Sequence, residues 1–445
     1  MTFNSEALLR ALTALSEDTD LPSRYIVAFS GGLDSTVLLH ALAMSAEQHS
    51  VPLLAIHVDH GLQDDSERWA EQCRSAVAAM GVDFESQRVA VDDVAGKGQE
   101  AAARDARYAA LAAMMTPGDW LLSAHHEDDQ AETLLLNLLR GSGPAGIAGI
   151  AAIRRFACGW LARPLLSFSR EALQKYATDQ DLDWIEDPSN TDCSFDRNFL
   201  RHDVLPLLES RWPEVARRLN RSSRIASETA TLLDDLAAID MCTLGERHDR
   251  LRIDVLKSLP LARQRNLLRH ALRELDLSTP SAAQLQRVLD EVIAARDDAE
   301  PVLKWNGVAV RRYRNHLYLL AADSSDDTFS TAISKGRERI DLGHGLGTLR
   351  LESGAKLGLD ENLLERGLQL RYRQGGEKLR VLDQSHTKTL KNLLQEKSVV
   401  PWMRDRVPLL FSGDRLVAVA DLWLAADAAN TPGVAIHWED RPPIY

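Results

Sequence analysis

The chain has 445 residues, 45% hydrophobic and 26% charged, with a formal net charge of −13 at pH 7. That length suggests two to four domains with ample core, and the composition excludes a chain disordered throughout. The acid excess argues against indiscriminate nucleic-acid binding, no apolar run reaches membrane-spanning length, and residues 1–6 lack the basic and apolar regions of a signal peptide; a cytoplasmic protein is expected.

Residues 1–23 read as a lead-in helix, with Leu8, Leu9, Leu12 and Leu15 on one face. Residues 25–29 form a short buried strand and residues 36–43 an apolar helix. Between them stands Ser30-Gly31-Gly32-Leu33-Asp34-Ser35. A strand that turns through two glycines into a helix leaves N–H donors at the positive end of a helix dipole, which suits a phosphate. Ser30 and Ser35 add hydroxyl donors. No Gly-Lys-Ser/Thr follows, so this is not a Walker A loop.

Further along, residues 53–58 predict a second strand ending at Asp59-His60-Gly61-Leu62, 65–80 a helix, 84–91 a third strand and 99–115 an alanine-rich helix. Residues 120–124 predict a fourth strand, running into His125-His126-Glu127-Asp128-Asp129 and a helix over 130–140. This alternation implies a parallel sheet covered on both faces, whose ligands sit at the carboxyl ends of the strands. The glycine loop, Asp59-His60 and His125–Asp129 all fall at such ends.

Residues 141–146 match G-x-G-x-x-G but follow a helix and contain Pro144, so a loop near the site is expected rather than a dinucleotide fingerprint. Residues 160–215 extend the first domain, and residues 216–322 look helical. There Arg265, Arg269 and Arg273 lie four apart and read first as a solvated face. Residues 322–327 suit a linker, and residues 335–445 carry short glycine-punctuated strands with a helix near 388–396. The expected domains are therefore 1–215, 216–322 and 335–445. Two stretches run against the overall charge. Residues 197–224 hold seven arginines against three acids, and residues 371–406 nine lysines and arginines against four acids. Cys73, Cys158, Cys193 and Cys242 form no C-x-x-C, so scattered core cysteines are expected rather than a zinc or redox pair.

Phosphate chemistry needs charge neutralisation as well as a grip. Asp34, Asp128 and Asp129 are the candidate carboxylates for Mg2+, against a reading as helix-start acids. Asp129 and Glu132 share a helix face, with His125 four residues before Asp129; such an acidic wall with a histidine can bind a cationic amine and manage its proton.

The Ser-Gly-Gly-x-Asp-Ser loop resembles that of the N-type ATP pyrophosphatase (PP-loop) superfamily. With His57–Leu62, Ala103–Tyr108, His125–Thr133, Arg163–Leu166, Asp187–Asn190, Arg197–Arg201, Arg373–Glu377 and Val400–Arg404 in that order, the chain resembles the tRNA(Ile)-lysidine synthetase family. The resemblance implies a Rossmann-like α/β domain with a PP-loop, a helical middle domain and a small α+β C-terminal domain. It implies a ligase that uses ATP and Mg2+ to join free L-lysine to carbon 2 of the wobble cytidine of a CAU-anticodon isoleucine tRNA, through an adenylated cytidine. A homodimer is a further option.

By the same resemblance, Ser30, Gly31, Gly32, Leu33, Asp34 and Ser35 hold the ATP phosphates, with Asp34 and Asp128 toward the metal. His125, Asp129 and Glu132 receive lysine and cytosine, and Arg104 or Arg107 stabilises the phosphate charge or the base. Arg197, Arg201, Arg373, Trp402 and Arg404 contact tRNA, although Trp402 suits core packing equally well. One departure is Gln63-Asp64-Asp65-Ser66, where a basic residue is expected near 63. A thiolase of the same superfamily needs a persulfide cysteine or iron–sulfur cluster, which the cysteine pattern does not offer. An amidotransferase-type synthetase lacks use for the basic C-terminal segment, and a non-catalytic tRNA binder does not need the intact clusters.

Overall fold

The computed structural model describes residues 2–17, 19–61, 66–90, 99–186, 192–245, 247–296, 299–322, 329–334, 336, 338–343, 345–382 and 384–445. The chain packs into two compact units, Met1–Asp234 and Asp235–Tyr445.

In the first unit the order is α1 (Ser5–Leu15), β1 (Arg24–Ala28), α2 (Leu33–Ala43), α3 (Ala46–His49), β2 (Leu53–Asp59), α4 (Ser66–Ala79), β3 (Asp83–Arg88), α5 (Gln99–Ala113), β4 (Asp119–Leu122), α6 (Glu127–Leu139), α7 (Pro144–Ile147), β5 (Ile153–Phe156), β6 (Gly159–Ala162) and α8 (Arg170–Asp179). The six strands form one sheet in the order β3-β2-β1-β4-β6-β5. All neighbours are parallel except β5 against β6. The sheet is buried on both faces, as a parallel sheet must be. Val27, Trp120 and Leu122 pack with Leu8, Val37, Leu38 and Leu173. Ile26, Ile56, Leu121 and Leu161 pack on the other face with Leu111 and Met115. The strand–helix alternation in the sequence thus maps onto the sheet, and the antiparallel hairpin β5–β6 is the addition it did not announce.

The chain then runs through α9 (Asp196–Phe199), a π-helical turn Leu200–Val204, α10 (Leu205–Arg211) and the long α11 (Val215–Leu244). The boundary expected at residue 215 therefore falls where a helix begins.

The start of the expected 216–322 domain falls in the first unit, and the second unit spans Asp235–Tyr445. Its helices Ile253–Ser258, Leu261–Glu274 and Ala282–Arg287 share a core with an antiparallel sheet of Arg250–Arg252, His316–Ala321, Val308–Tyr313 and Val302–Trp305. The middle region is therefore helical only to about residue 293 and closes in strands. Two five-stranded antiparallel sheets follow, one including Leu368–Arg371 and Leu409–Ser412, the other Thr348–Ala355 and Gly433–Glu439, with the helix Leu390–Glu396. Among the described residues no helix is long and apolar enough to cross a membrane.

Candidate active site

Strand β1 pairs with β2 on one side and β4 on the other, so the strand order reverses at the β1–β4 pair. The crevice beyond the carboxyl ends of such a pair is where open α/β sheets take their ligands. The glycine loop fills the β1 side. Helices α1 and α8 begin with side-chain caps, Asn4 accepting from the Ala7 N–H and Ser169 from the Ala172 N–H. Helix α2 begins at Gly32 with no side-chain cap. Its first-turn N–H groups are left for an anion, at the positive end of the dipole. The Ser30 Oγ lies 3.1 Å from the Ser35 Oγ, which donates to the Gly32 carbonyl at 3.0 Å. Gly31 has φ +80°, and a Cβ there would stand 2.7 Å from the Cys73 Sγ and 2.9 Å from the Ile185 Cδ1, so only glycine fits.

The β4 side carries His125 and His126. His126, 1% exposed, caps α6. Its Nε2 lies 3.6 Å from an Asp34 oxygen and 3.5 Å from an Asp129 oxygen. Its Nδ1 faces the Asp128 N–H at 3.3 Å, which it accepts when neutral, and the Asp128 carboxylate at 3.4 Å, to which it donates when charged. Burial disfavours the charged ring, but hydrogen bonding to Asp128 and Asp34 and the charge of Asp129 outweigh it, raising the pKa to about 10. His126 thus ties the glycine-loop helix to the acid helix. Sequence reasoning singled out His125 and passed over His126; the signal was its place just before an acid-rich helical turn.

Asp129 and Glu132 are not an open acidic wall. Asp129 Oδ1 accepts from Arg197 at 3.0 Å and Arg201 at 3.1 Å. Glu132, 0% exposed, accepts from Arg197 Nε at 2.7 Å, from Arg201 Nε at 2.6 Å and from Arg201 Nη2 at 3.0 Å. Burial would raise the Asp129 pKa, yet His126, Arg197 and His125 hold it down at about 2. Arg197 and Arg201, expected at the tRNA surface, turn inward to form this quartet.

Arg104 and Arg163 stand near His125, on which both act. The Arg104 guanidinium lies 5.1 Å from the Tyr108 ring centre, and Arg163 follows β6. His125 Nδ1 is 2.6 Å from the Ser123 Oγ. Burial, with Arg163, Arg197 and Arg104 adding to it against Asp129, lowers the His125 pKa to about 3, so the ring is neutral at physiological pH. At the end of β2, Asp59 accepts from the Gly61 N–H at 2.8 Å, and His60 has a buried Nδ1 with no partner.

A divalent cation finds one suitable oxygen here. Asp34 Oδ1 is buried without a partner. Asp128 accepts from the Arg170 N–H at 2.8 Å and faces the opposite ring nitrogen of His126. The structure therefore does not bring Asp34 and Asp128 to one point; Asp129 is the carboxylate beside Asp34. Among the described residues no cluster of three or more His, Cys, Asp or Glu could hold a metal by itself. One carboxylate completed by phosphate oxygens is, however, a common way to hold Mg2+.

The loop at 141–146 is held down, with Asn137 donating to the Gly146 carbonyl at 2.7 Å and Ser223 to the Ala148 carbonyl. In the second unit, Arg373 pairs with Asp405 at 2.8 Å and approaches Glu377 at 3.6 Å. Arg404 donates to the Val399 carbonyl at 2.9 Å and the Tyr313 hydroxyl at 3.1 Å. Trp402 packs edge-on to Tyr318 at 5.0 Å, with Arg311 over its ring. Asp187–Asn190, residues 62–65 and most of the expected linker lie outside the described residues.

Three family models match this chain: a PP-loop domain over residues 4–208, a TilS substrate binding domain over 251–318 and a TilS substrate C-terminal domain over 368–438. The chain is 42% identical to a tRNA(Ile)-lysidine synthase of Alkalilimnicola ehrlichii, across 98% of this chain and 97% of that protein. It is 38% identical to the one of Coxiella burnetii, across 99% and 97%. It is 39% identical to the one of Methylococcus capsulatus, across 94% and 96%. A solved U34-tRNA thiolase of Methanococcus maripaludis aligns with a TM-score of 0.42 at 18% identity, over 50% of this chain and 78% of that one.

Proposed function

This chain belongs to the tRNA(Ile)-lysidine synthase family, and we propose from that premise how its residues carry the reaction. In this reading the substrates are ATP, free lysine and the isoleucine tRNA with a CAU anticodon. Oxygen 2 of the wobble cytosine attacks the α-phosphorus of ATP and pyrophosphate leaves. The lysine ε-amine then attacks carbon 2 and AMP leaves.

Ser30 to Ser35 hold the departing pyrophosphate through backbone N–H groups and hydroxyls. Mg2+, where bound, neutralises phosphate charge, and Asp34 with its unpartnered oxygen is the residue to hold it. The quartet of Asp129, Glu132, Arg197 and Arg201 presents both signs of charge, matching the zwitterionic head of a free amino acid. Its acids take the α-ammonium and its arginines the α-carboxylate, leaving the ε-amine for the chemistry. Neutral His125 stands where it can accept a hydrogen bond from that amine, and Arg104 faces the developing phosphate charge. The basic segments of the second unit, with Arg373 and Arg404, form the tRNA side. Functionally, 1–215 is the catalytic part, while 216–322 and 335–445 serve tRNA. A cytoplasmic setting suits these substrates.

The observation that carries this reading is the bridge of His126 between Asp34 and Asp129 at 3.6 and 3.5 Å, which puts the phosphate loop and the amino-acid quartet in one crevice. The test is an ATP-consumption assay on the full chain. AMP and pyrophosphate should form only with both lysine and the CAU tRNA present. Equal turnover with glutamine or a sulfur donor in place of lysine would overturn the reading.

A further inference from the structure

Among the described residues three deeply buried arginines invite comparison: Arg163 at 5% exposure, Arg312 at 2% and Arg406 at 6%. Arg312 is accounted for by the fold. Its guanidinium donates to the carbonyls of Ile293, Ala295 and Arg314, at the end of a helical turn where carbonyls point outward. Arg406 likewise has a partner.

Arg163 is different. Its backbone N–H donates to the Ala152 carbonyl at 2.8 Å, and its Nη1 to the Ala151 carbonyl at 2.6 Å. Its Nε is buried with no partner among the described residues. After burial, the largest influences on its charge are Tyr108, Arg154 and Arg104. Burial lowers its pKa, and the two arginines push the same way against Tyr108. A buried cation without a counter-charge is disfavoured, and a buried N–H left open is costly in addition. Ala151 and Tyr108 take part of the guanidinium, and the Nε–H is what is left open for an anion among the described residues.

The fold says where that anion sits. Leu122 of β4 lies opposite Ala162 of β6, and the Ser123 N–H donates to the Ala162 carbonyl at 3.0 Å. Arg163 therefore stands beside Ser123, whose hydroxyl holds His125. It lies on the crevice rim, on the far side of β4 from the glycine loop. A guanidinium edge with an open Nε–H matches a phosphate oxygen.

We propose that Arg163 binds a phosphate oxygen during the reaction. Two phosphates reach this rim: the α-phosphate that passes from ATP to the base and leaves as AMP, and a phosphodiester of the RNA next to the target nucleotide. This rests on the reading above that the crevice handles an adenylyl group on RNA. Arg163 is a ligand-binding residue in either case, with the rest of the guanidinium anchored by Ala151 and Tyr108.

The test uses the full chain with Arg163→Gln and Arg163→Lys. Titration calorimetry with AMP and with adenosine, and filter binding of CAU tRNA, are read beside thermal melting. Loss of one charge-assisted contact should weaken one of the two phosphate ligands about 10- to 100-fold, with Arg163→Lys intermediate. Weaker AMP with unchanged adenosine identifies the adenylyl phosphate; weaker tRNA with unchanged AMP identifies the phosphodiester. Wild-type affinity of both ligands for a folded Arg163→Gln overturns the proposal. If Arg163→Gln fails to fold, Arg163→Lys decides: wild-type affinity for both ligands again overturns it. Failure of the wild-type chain to bind either AMP or tRNA would instead remove the adenylyl-transfer reading itself.

Discussion

Two arginine-rich clusters, one in each unit, use their cations in opposite ways. In the first unit Arg197 and Arg201 are spent on Asp129 and Glu132, in a buried set of charge-assisted hydrogen bonds. In the second, Arg311 and Arg404 lie against the rings of Trp402 and Tyr313, which pack with Tyr318. Both clusters draw on stretches that look alike on paper, as local surpluses of positive charge. In the first, every cation meets an acid, which in the reading proposed above lets a zwitterion take over these bonds. In the second, the cations lie on rings packed between sheets of one unit. A charge surplus in sequence says how many cations there are, not what they are spent on.

The comparison breaks most sharply at Glu132. Glu132→Gln removes a fully buried carboxylate and leaves two half-buried guanidiniums with Asp129 as their one acid, and should cost about 3–5 kcal/mol of first-unit stability and abolish lysine incorporation. Radiolabelled lysine transfer and denaturant titration check both. Trp402→Ala should cost about 3 kcal/mol in the second unit and leave AMP binding unchanged, since the glycine loop belongs to the first unit. Weakened AMP binding would erase the distinction between the clusters.

A pH titration sharpens it further. Asp129 is held at about 2 when folded, below the ordinary aspartate value of 3.8. A depressed carboxylate contributes stability that is present above the unfolded value and lost as pH falls through the folded one. Between about pH 4 and pH 2 the first unit should therefore lose about 2 kcal/mol that an Asp129→Asn variant does not show. The second cluster, being cation on ring, should show no such limb. The smallest effect is expected from Arg311→Ala, about 0.5–1 kcal/mol by melting, for one part-exposed cation–π contact.

Much of the fold is legible in the chain because strand–helix alternation constrains a parallel sheet so tightly. Tyr25–Phe29 and Trp120–Ala124 announce adjacent buried strands, and a crossover sheet then carries Ser30–Ser35 and His125–Glu132 to one rim. What stayed hidden depends on contacts distant in sequence. Arg197 reads as an RNA contact until Glu132 is found 2.7 Å away. Arg163 follows the strand of an antiparallel hairpin that no periodicity marked, and its unpartnered Nε among the described residues is a property of its surroundings. His126 looked like the spare member of a pair, because capping and bridging are decided by where Asp34 sits.

Behind the glycine loop there is no slack. Gly31 is backed by the thiol of Cys73 and by Ile185, whose N–H donates to the Gly31 carbonyl at 2.9 Å. Burial pushes that thiol up to about 12, which makes it inert, so its importance lies in its size. The clearance of the nucleotide cradle is thus set from the rear by helix α4, and a bulkier residue at position 73 would act as a wedge. Anyone reshaping this cradle for a modified triphosphate has to start from its back wall.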